Sequence, residues 1–292
     1  MLVNSSGRIR RTTGMQGGAV INNVIDPDKY LYHYTGADTA IEFILRDRTL
    51  RFSPYSDTND PKERKGWLFD FGTNQNRDLG LYNQVEQSGW LSAAFKSKTL
   101  LACFTQDEKG LAGDHVRDIT LRGFCKPRMW AQYGDKHKGV CLVFLRERLQ
   151  QLIDEQFASR HPIASGAVSY VDRSVMNSLD EQQFTINVDV LESVGRDAYF
   201  QRHLRTHYQR MFFEKMTDWR GENEWRWIVF SEAAEPLFLD FKNALAGVIF
   251  GDETTKERRE QIRQLNHGFG VSHMRLGWKN CSPWYDYLEG VQ

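Results

Sequence analysis

Proline is scarce in this chain, at 7 of 292 residues, and no internal repeat or low-complexity tract interrupts it. With 8 Trp, 11 Tyr and 18 Phe alongside, that scarcity suits a compact globular chain better than a disordered one. Neither sign of charge is in excess: Lys plus Arg and Asp plus Glu both number 38, so no global field steers the protein toward nucleic acid or an anionic membrane. No apolar run approaches the roughly 18 residues that a spanning helix needs, so no membrane partner is expected. The four cysteines, Cys103, Cys125, Cys141 and Cys281, make no Cys-x-x-Cys pair, which argues against zinc. Three of them lie in or near apolar segments and read as buried reduced thiols, which implies a cytoplasmic location. A Gly-x-Ser-x-Gly elbow, a phosphate loop and a Gly-x-Gly-x-x-Gly fingerprint are all missing, so three common enzyme classes lose their local signature.

What is present reads as a mixed α+β chain. Residues 1–25, with Arg8, Arg10 and Arg11 among Ser, Thr and Gly, form a flexible basic lead without the apolar stretch of a secretory signal; a transit peptide is the other reading. One domain is expected over residues 26–288, with an insertion read at 173–189. Strands are predicted near Leu31–Thr35, Leu50–Ser53, Leu100–Thr105, Gly139–Phe144, Ala167–Val171, Leu237–Phe241, Leu245–Phe250 and Val271–Leu276. Helices are predicted from Asp38 to Arg48, within Leu79–Phe95 (with Leu81, Tyr82, Val85 and Trp90 toward the core), after Pro127, over Arg146–Phe157, over Val190–Met216 and over Thr254–Leu265. The Val190–Met216 stretch carries Arg196, Tyr199, Arg202, His203, Arg205, His207, Tyr208 and Arg210, a set able to grip phosphates and bases or to form a solvated helix face.

The most informative stretch is Trp219–Phe230, read as a strand. Its alternation puts Glu222, Glu224 and Arg226 on one face and Asn223, Trp225, Trp227 and Val229 on the other. That charged face is either a solvent-exposed ion-pair row or the wall of a cleft. Two other polar points lie at predicted strand ends: His33 with Thr35, and the turn-rich loop from Ser53 to Glu63. A carboxylate facing a sugar suits glycosyl-type chemistry, because it stabilises an oxocarbenium-like transition state while a second carboxylate orients or deprotonates an acceptor.

Several pieces together carry a resemblance. They are Leu31–Thr35, Phe52-Ser53-Pro54 with Asn59-Asp60-Pro61 and Glu63, Ala102–Thr105, Met129–Tyr133 with His137–Leu142, Trp219 with Glu222–Arg226, and Val248–Gly251. The chain in this respect resembles the bacterial "domain of unknown function 2971" family from about Tyr30 to Trp278, a label that names no activity. A second resemblance does name one: His33-x-Thr35 on a first strand, followed by a helix and a second strand, is similar to the opening of ADP-ribosyltransferases of the His-Tyr-Glu type.

That second resemblance implies a single α+β domain with a split, bent mixed β-sheet core and surrounding helices, ADP-ribosyltransferase-like. It implies NAD as substrate, with His33 and Thr35 positioning it, Tyr55 stacking on nicotinamide with Phe52 as the neighbouring choice, and Ser53 beside them. Glu224 looks like the catalytic glutamate and Glu222 the acceptor-activating one, with Asn59 and Arg226 as substrate contacts. No metal is expected in this reading. The acceptor is nucleic acid, slightly favoured, or protein, in a toxin or phage-defence setting with an antitoxin as a conceivable partner. The pattern departs from the family in joining a His-type start to Glu-x-Glu and in placing no glycine directly after His33. Two other classes stand beside it: a metal-dependent nuclease or hydrolase using Asp57, Asp60, Glu63 and the Glu222/Glu224 pair, and a sensor or binding module with no cleft joining His33 to Glu224. The ordinary alternative for His33 is a hydrogen-bonded core histidine.

Overall fold

Apolar runs of four to eight residues dictate the strands, and they assemble into one branched sheet. The computed structural model describes residues 23–174, 181–233 and 235–287; residues 1–22 of the expected basic lead and 175–180 of the expected insertion lie outside them. The strands in chain order are β1 (Tyr30–Thr35), β2 (Thr49–Pro54), β3 (Asp70–Gly72), β4 (Thr99–Gln106) and β5 (Val140–Leu145). Then follow β6 (Ile163–Ala167), β7 (Ser169–Tyr170), β8 (Thr185–Asn187), β9 (Glu214–Lys215) and β10 (Glu224–Phe230). The last four are β11 (Leu237–Asp240), β12 (Leu245–Phe250), β13 (Ser272–Lys279) and β14 (Ser282–Tyr287). Ten of them form a sheet ordered β11-β2-β4-β1-β5-β12-β13-β14, with β10 and β6 branching from β4. The β12–β13 pair is parallel and the other pairings in that sheet are antiparallel, so the sheet is mixed.

The branch matters for function because of how β4 uses its two edges. One edge pairs with β10 along its length, from Glu224↔Thr105 to Phe230↔Thr99. The other edge is shared: β1 takes Gln106 and Thr105, whereas β2 takes Leu101 and Leu100. Between those contacts Ala102, Cys103 and Phe104 pair with β10 alone, so the sheet splits there. Unpaired backbone of this kind asks for other partners. One is a side chain, since His33 Nδ1 lies 3.2 Å from the Cys103 carbonyl oxygen.

Both faces of the sheet are covered. One face carries Leu31, Phe104, Leu142, Phe144, Trp227 and Val248 against the Arg146–Phe157 helix and its neighbours. On the other face two separate clusters form, one around Tyr32, Tyr34, Trp130 and Val143, the second around Tyr55, Phe95, Phe212 and Ile228. No described helix is long and apolar enough to cross a membrane.

Three local expectations need correction. Trp219–Phe230 is not one strand: Thr217–Glu222 is a 3-10 helix, Asn223 adopts left-handed φ of 43°, and β10 begins at Glu224. The Asn223 side-chain amide explains the turn, donating to the carbonyls of Gln106 and Asp107 at 3.1 and 3.2 Å. The long helix, Val188–Phe212, breaks at Gly195, where φ is 77°. The helix read within Leu79–Phe95 runs from Gln84 to Ser97, capped by Asn83, and it buries Leu91 and Phe95 while Leu81 and Val85 are exposed. Apolar residues before the cap sit on a 3-10 turn, outside the helical period. The final strand, β14, is an element that periodicity did not reveal.

A tight junction ties β5 to β12 behind the sheet. A Cβ added at Gly251 would lie 2.2 Å from the His137 carbonyl oxygen, and one at Gly139 would lie 2.2 Å from that of Thr35. Neither oxygen belongs to a side chain that can swing away. Gly251→Ala is therefore expected to cost at least about 1–3 kcal/mol, seen as a lower urea midpoint at unchanged slope; a midpoint equal to wild type would show that the junction relaxes freely.

Candidate functional site

The split in the sheet opens into a cavity of about 290 Å³, lined among others by His33, Ser53, Asn59, Glu63, Cys103, Thr105, Tyr133, Lys215, Glu222 and Glu224. β1 supplies His33, β4 supplies Cys103 and Thr105, and β10 supplies Glu224. The Pro61–Arg64 turn brings Glu63, with Asp60 as its N-cap accepting from the Lys62 amide at 2.9 Å. One feature that sequence alone leaves open is thereby decided. The charged face of β10 is neither solvent-exposed nor free: Glu224 is 4 % exposed and Arg226 0 %.

Arg226 is the organising cation. Its Nε and Nη2 meet Glu224 at 2.5 and 3.0 Å, Nη2 reaches Glu63 at 2.5 Å, and Nη1 donates to the Phe212 carbonyl at 2.7 Å. Such a fork is what a planar guanidinium provides and an ammonium does not. Lys215 is the second cation, 2.7 Å from Glu222 and 2.8 Å from Glu224. Glu222 also accepts from the Tyr133 hydroxyl at 2.9 Å. Three buried carboxylates, Glu63, Glu222 and Glu224, thus surround two buried cations, and the cavity wall is formally negative.

The carboxylates differ in proton affinity. Burial pushes Glu224 upward, but Arg226 and Lys215 outweigh it and hold the group down at about 2. Glu222 is raised, by burial first and by the charge of Glu224, with Lys215 opposing. One carboxylate is therefore firmly ionised, and its neighbour takes up protons more readily. His33 is lowered by burial, which keeps its ring neutral, and a neutral ring facing a carbonyl must donate from Nδ1. Nε2 then carries the lone pair, and it has no hydrogen-bond partner among the described residues.

Of the sequence-predicted residues, His33, Ser53, Asp57, Asn59, Glu63, Glu222 and Glu224 line this one cavity, whereas Asp60 does not. Thr35, on the same strand as His33, is buried against β5 and is not part of the lining. Phe52 packs edge-on to Phe157 in the core, and Tyr55, 1 % exposed, packs edge-on to Phe212 and Trp67. Neither ring presents a face to the cavity lining. Arg226 stands behind Glu224 instead of in the cavity wall. Lys215 was missed, because a two-residue strand leaves no periodic signal. Tyr133 and Glu63 carried such a signal only through the motifs around Met129 and Asn59.

The basic and aromatic set on the long helix does not form one face. Tyr199 and His203 are buried, Arg196 pairs with Glu86, and Arg210 pairs with Glu181 and Glu214. Arg202 and Arg205 are the exposed members for which no ion pair occurs among the described residues. Lys215 also fills the space between Glu222 and Glu224 that a nuclease metal would need, and no group of three or more His, Cys, Asp or Glu able to hold a metal occurs among the described residues.

No curated protein and no solved structure matches the chain. Residues 129–227, which carry Met129, Tyr133, Lys215, Glu222 and Glu224, are similar to a family whose model is described as "Protein of unknown function (DUF2971)".

Proposed function

We propose that this protein transfers ADP-ribose from NAD to a macromolecular acceptor and releases nicotinamide. The observation that supports this best is a neutral His33 and a carboxylate pair, Glu222 and Glu224, lining one cavity in a split sheet. The split is read as the ADP-ribosyltransferase-like feature of the fold. The bond that breaks joins C1′ of the ribose to the nicotinamide nitrogen, whose electron pair leaves with the base. C1′ becomes positive, and a formally negative wall stabilises it. The acceptor nucleophile then bonds to C1′ and gives its proton to Glu222, the carboxylate of raised proton affinity.

His33 Nε2, as an acceptor, suits a ribose hydroxyl. Tyr133, which lines the cavity beside Glu222, replaces Tyr55 as the aromatic side chain offered to nicotinamide. The cavity volume lies at the lower end of small-ligand pockets, roughly 300 Å³ upward, which suits one end of a dinucleotide. The paired state of Arg196 and Arg210 removes much of the preference for nucleic acid, so RNA, DNA and protein stand as equal acceptor classes. A toxin or phage-defence setting fits such chemistry.

The test is incubation with labelled NAD and separate RNA, DNA and protein pools, for wild type, Glu224→Gln and Glu222→Gln. Glu224→Gln is expected to slow nicotinamide release by about 10²–10³-fold, the scale of one lost electrostatic contact in a closed site. Glu222→Gln is expected to reduce transfer to the acceptor more than NAD hydrolysis. Absence of nicotinamide release with every pool, or release unchanged in Glu224→Gln, overturns the proposal.

A further inference from the structure

We infer that Lys215 is a positioning residue for this site: its ammonium, seated between Glu222 and Glu224, holds the two carboxylates together in the cavity wall where they would otherwise repel. The inference rests on the proposed transfer reaction for its catalytic consequence, and on geometry for everything else. Both contacts are short, 2.7 Å to Glu222 and 2.8 Å to Glu224, and all three side chains are at least nine-tenths buried. Lys215 sits on a two-residue strand, β9, which pairs with β7 at Tyr170↔Lys215, so backbone pairing fixes the stem. Trp219 covers it, with Nζ 5.2 Å from the ring centre.

Each carboxylate has other neighbours, and they are unequal. Glu224 keeps Arg226 on one side, with Cys103 and Tyr170 nearby. Glu222 has Tyr133 besides Lys215, a neutral hydroxyl, and no second cation pairs with it among the described residues. Glu63 and Arg226 act on Lys215 from the far side of Glu224. Remove the ammonium, and Glu222 faces an ionised carboxylate in a buried setting with only a hydroxyl to help. Two carboxylates in one site cannot both stay charged, so Glu222 would take up a proton at a higher pH than before. Glu222 in that state cannot accept the proton of the acceptor nucleophile.

A merely structural lysine predicts a loss of activity of unchanged pH shape. The positioning role predicts a change of shape. In Lys215→Met the acid limb of the transfer rate, followed from about pH 5 to about pH 9, is expected to move up by about one unit or more. Lys215→Arg, which keeps the charge, is expected to leave the limb within a few tenths of wild type. In Lys215→Met with Glu222→Gln the displaced limb is expected to vanish, because the titrating group is gone.

Wild type and the same three variants, unfolded in urea across the same range, report Glu222 without any reference to activity. There Lys215→Met is expected to show a displaced pH dependence of the midpoint that the second substitution cancels. A wild type that releases no nicotinamide sinks the transfer reaction while the urea series still judges Lys215. If Lys215→Met does not fold, recovery of folding on adding Glu222→Gln supports the inference, and failure to recover overturns it. Superimposable pH profiles for Lys215→Met and wild type in both measurements overturn it as well.

Discussion

Arg226→Met is expected to destabilise the fold by about 3–5 kcal/mol, the scale on which removing one partner leaves buried charges unpaired. Four polar contacts converge on that guanidinium, and Glu63 and Glu224 lie within the same buried wall. Neither carboxylate can turn to solvent, since both are at most 4 % exposed. Lys215 still pairs with Glu224 in the variant, whereas Glu63 loses its close cation. Arg226→Lys is expected to recover only part of the loss, because one ammonium cannot reach Glu224, Glu63 and the Phe212 carbonyl in the same fixed directions. Replacing Glu63 and Arg226 together by Gln and Met should be milder than Arg226→Met alone, as an orphaned charge costs more than an absent pair. Urea unfolding of the four proteins checks this, and a midpoint for Arg226→Met equal to wild type would show that the cation is dispensable.

Stability is expected to fall as the pH drops from about 6.5 toward about 4, with His203 and His273 as the main identified contributors. Burial lowers His203 to about 4, and it lowers His273 to about 4 as well. His33 and His207 are lowered in the same direction by burial. For each, the unfolded chain binds a proton at a pH where the folded chain does not, so stability is complete above the unfolded value of 6.5 and declines below it. The decline attributable to such a group ends near its folded value. His203 is 5 % exposed, and its shift corresponds to a loss on the order of 3 kcal/mol. Asp107 and Glu222, raised by burial, act in the opposite direction and soften the slope. Glu224, held at about 2, contributes stability that is lost only in stronger acid. A His203→Gln variant, whose side chain stays neutral, should show a shallower fall between pH 6.5 and 4 in urea titrations. An identical slope would mean that His203 is not buried in solution.

Much of the sheet was legible because its central strands are continuous apolar runs. Leu100–Thr105, Val140–Phe144 and Leu245–Phe250 lie where such runs predict buried strands, and their neighbours in the sheet follow from the same signal. Local rules failed where a single residue changes the path. Asn223 turns the chain by a left-handed φ and side-chain bonds to Gln106 and Asp107, distant in sequence, and Gly195 breaks a helix that periodicity reads as continuous. Glu222 and Glu224 do share a partner, but through a turn and Lys215 and not through strand alternation.

By itself, the amino-acid sequence determined that Glu224 and Arg226 face the same way, that His33 lies on a strand near the start, and that no apolar run reaches the length of a spanning helix. Alternation along a strand assigns side chains to faces, and it is a local property of the backbone. What covers a face is not local. Only the tertiary structure decided that the charged face of β10 is buried around Arg226, that β1 and β2 leave a gap on β4, and that Tyr55 spends its ring on the core. The partners in each case come from segments far apart in the chain, and Coulomb and packing forces that join them leave no periodic trace in either one.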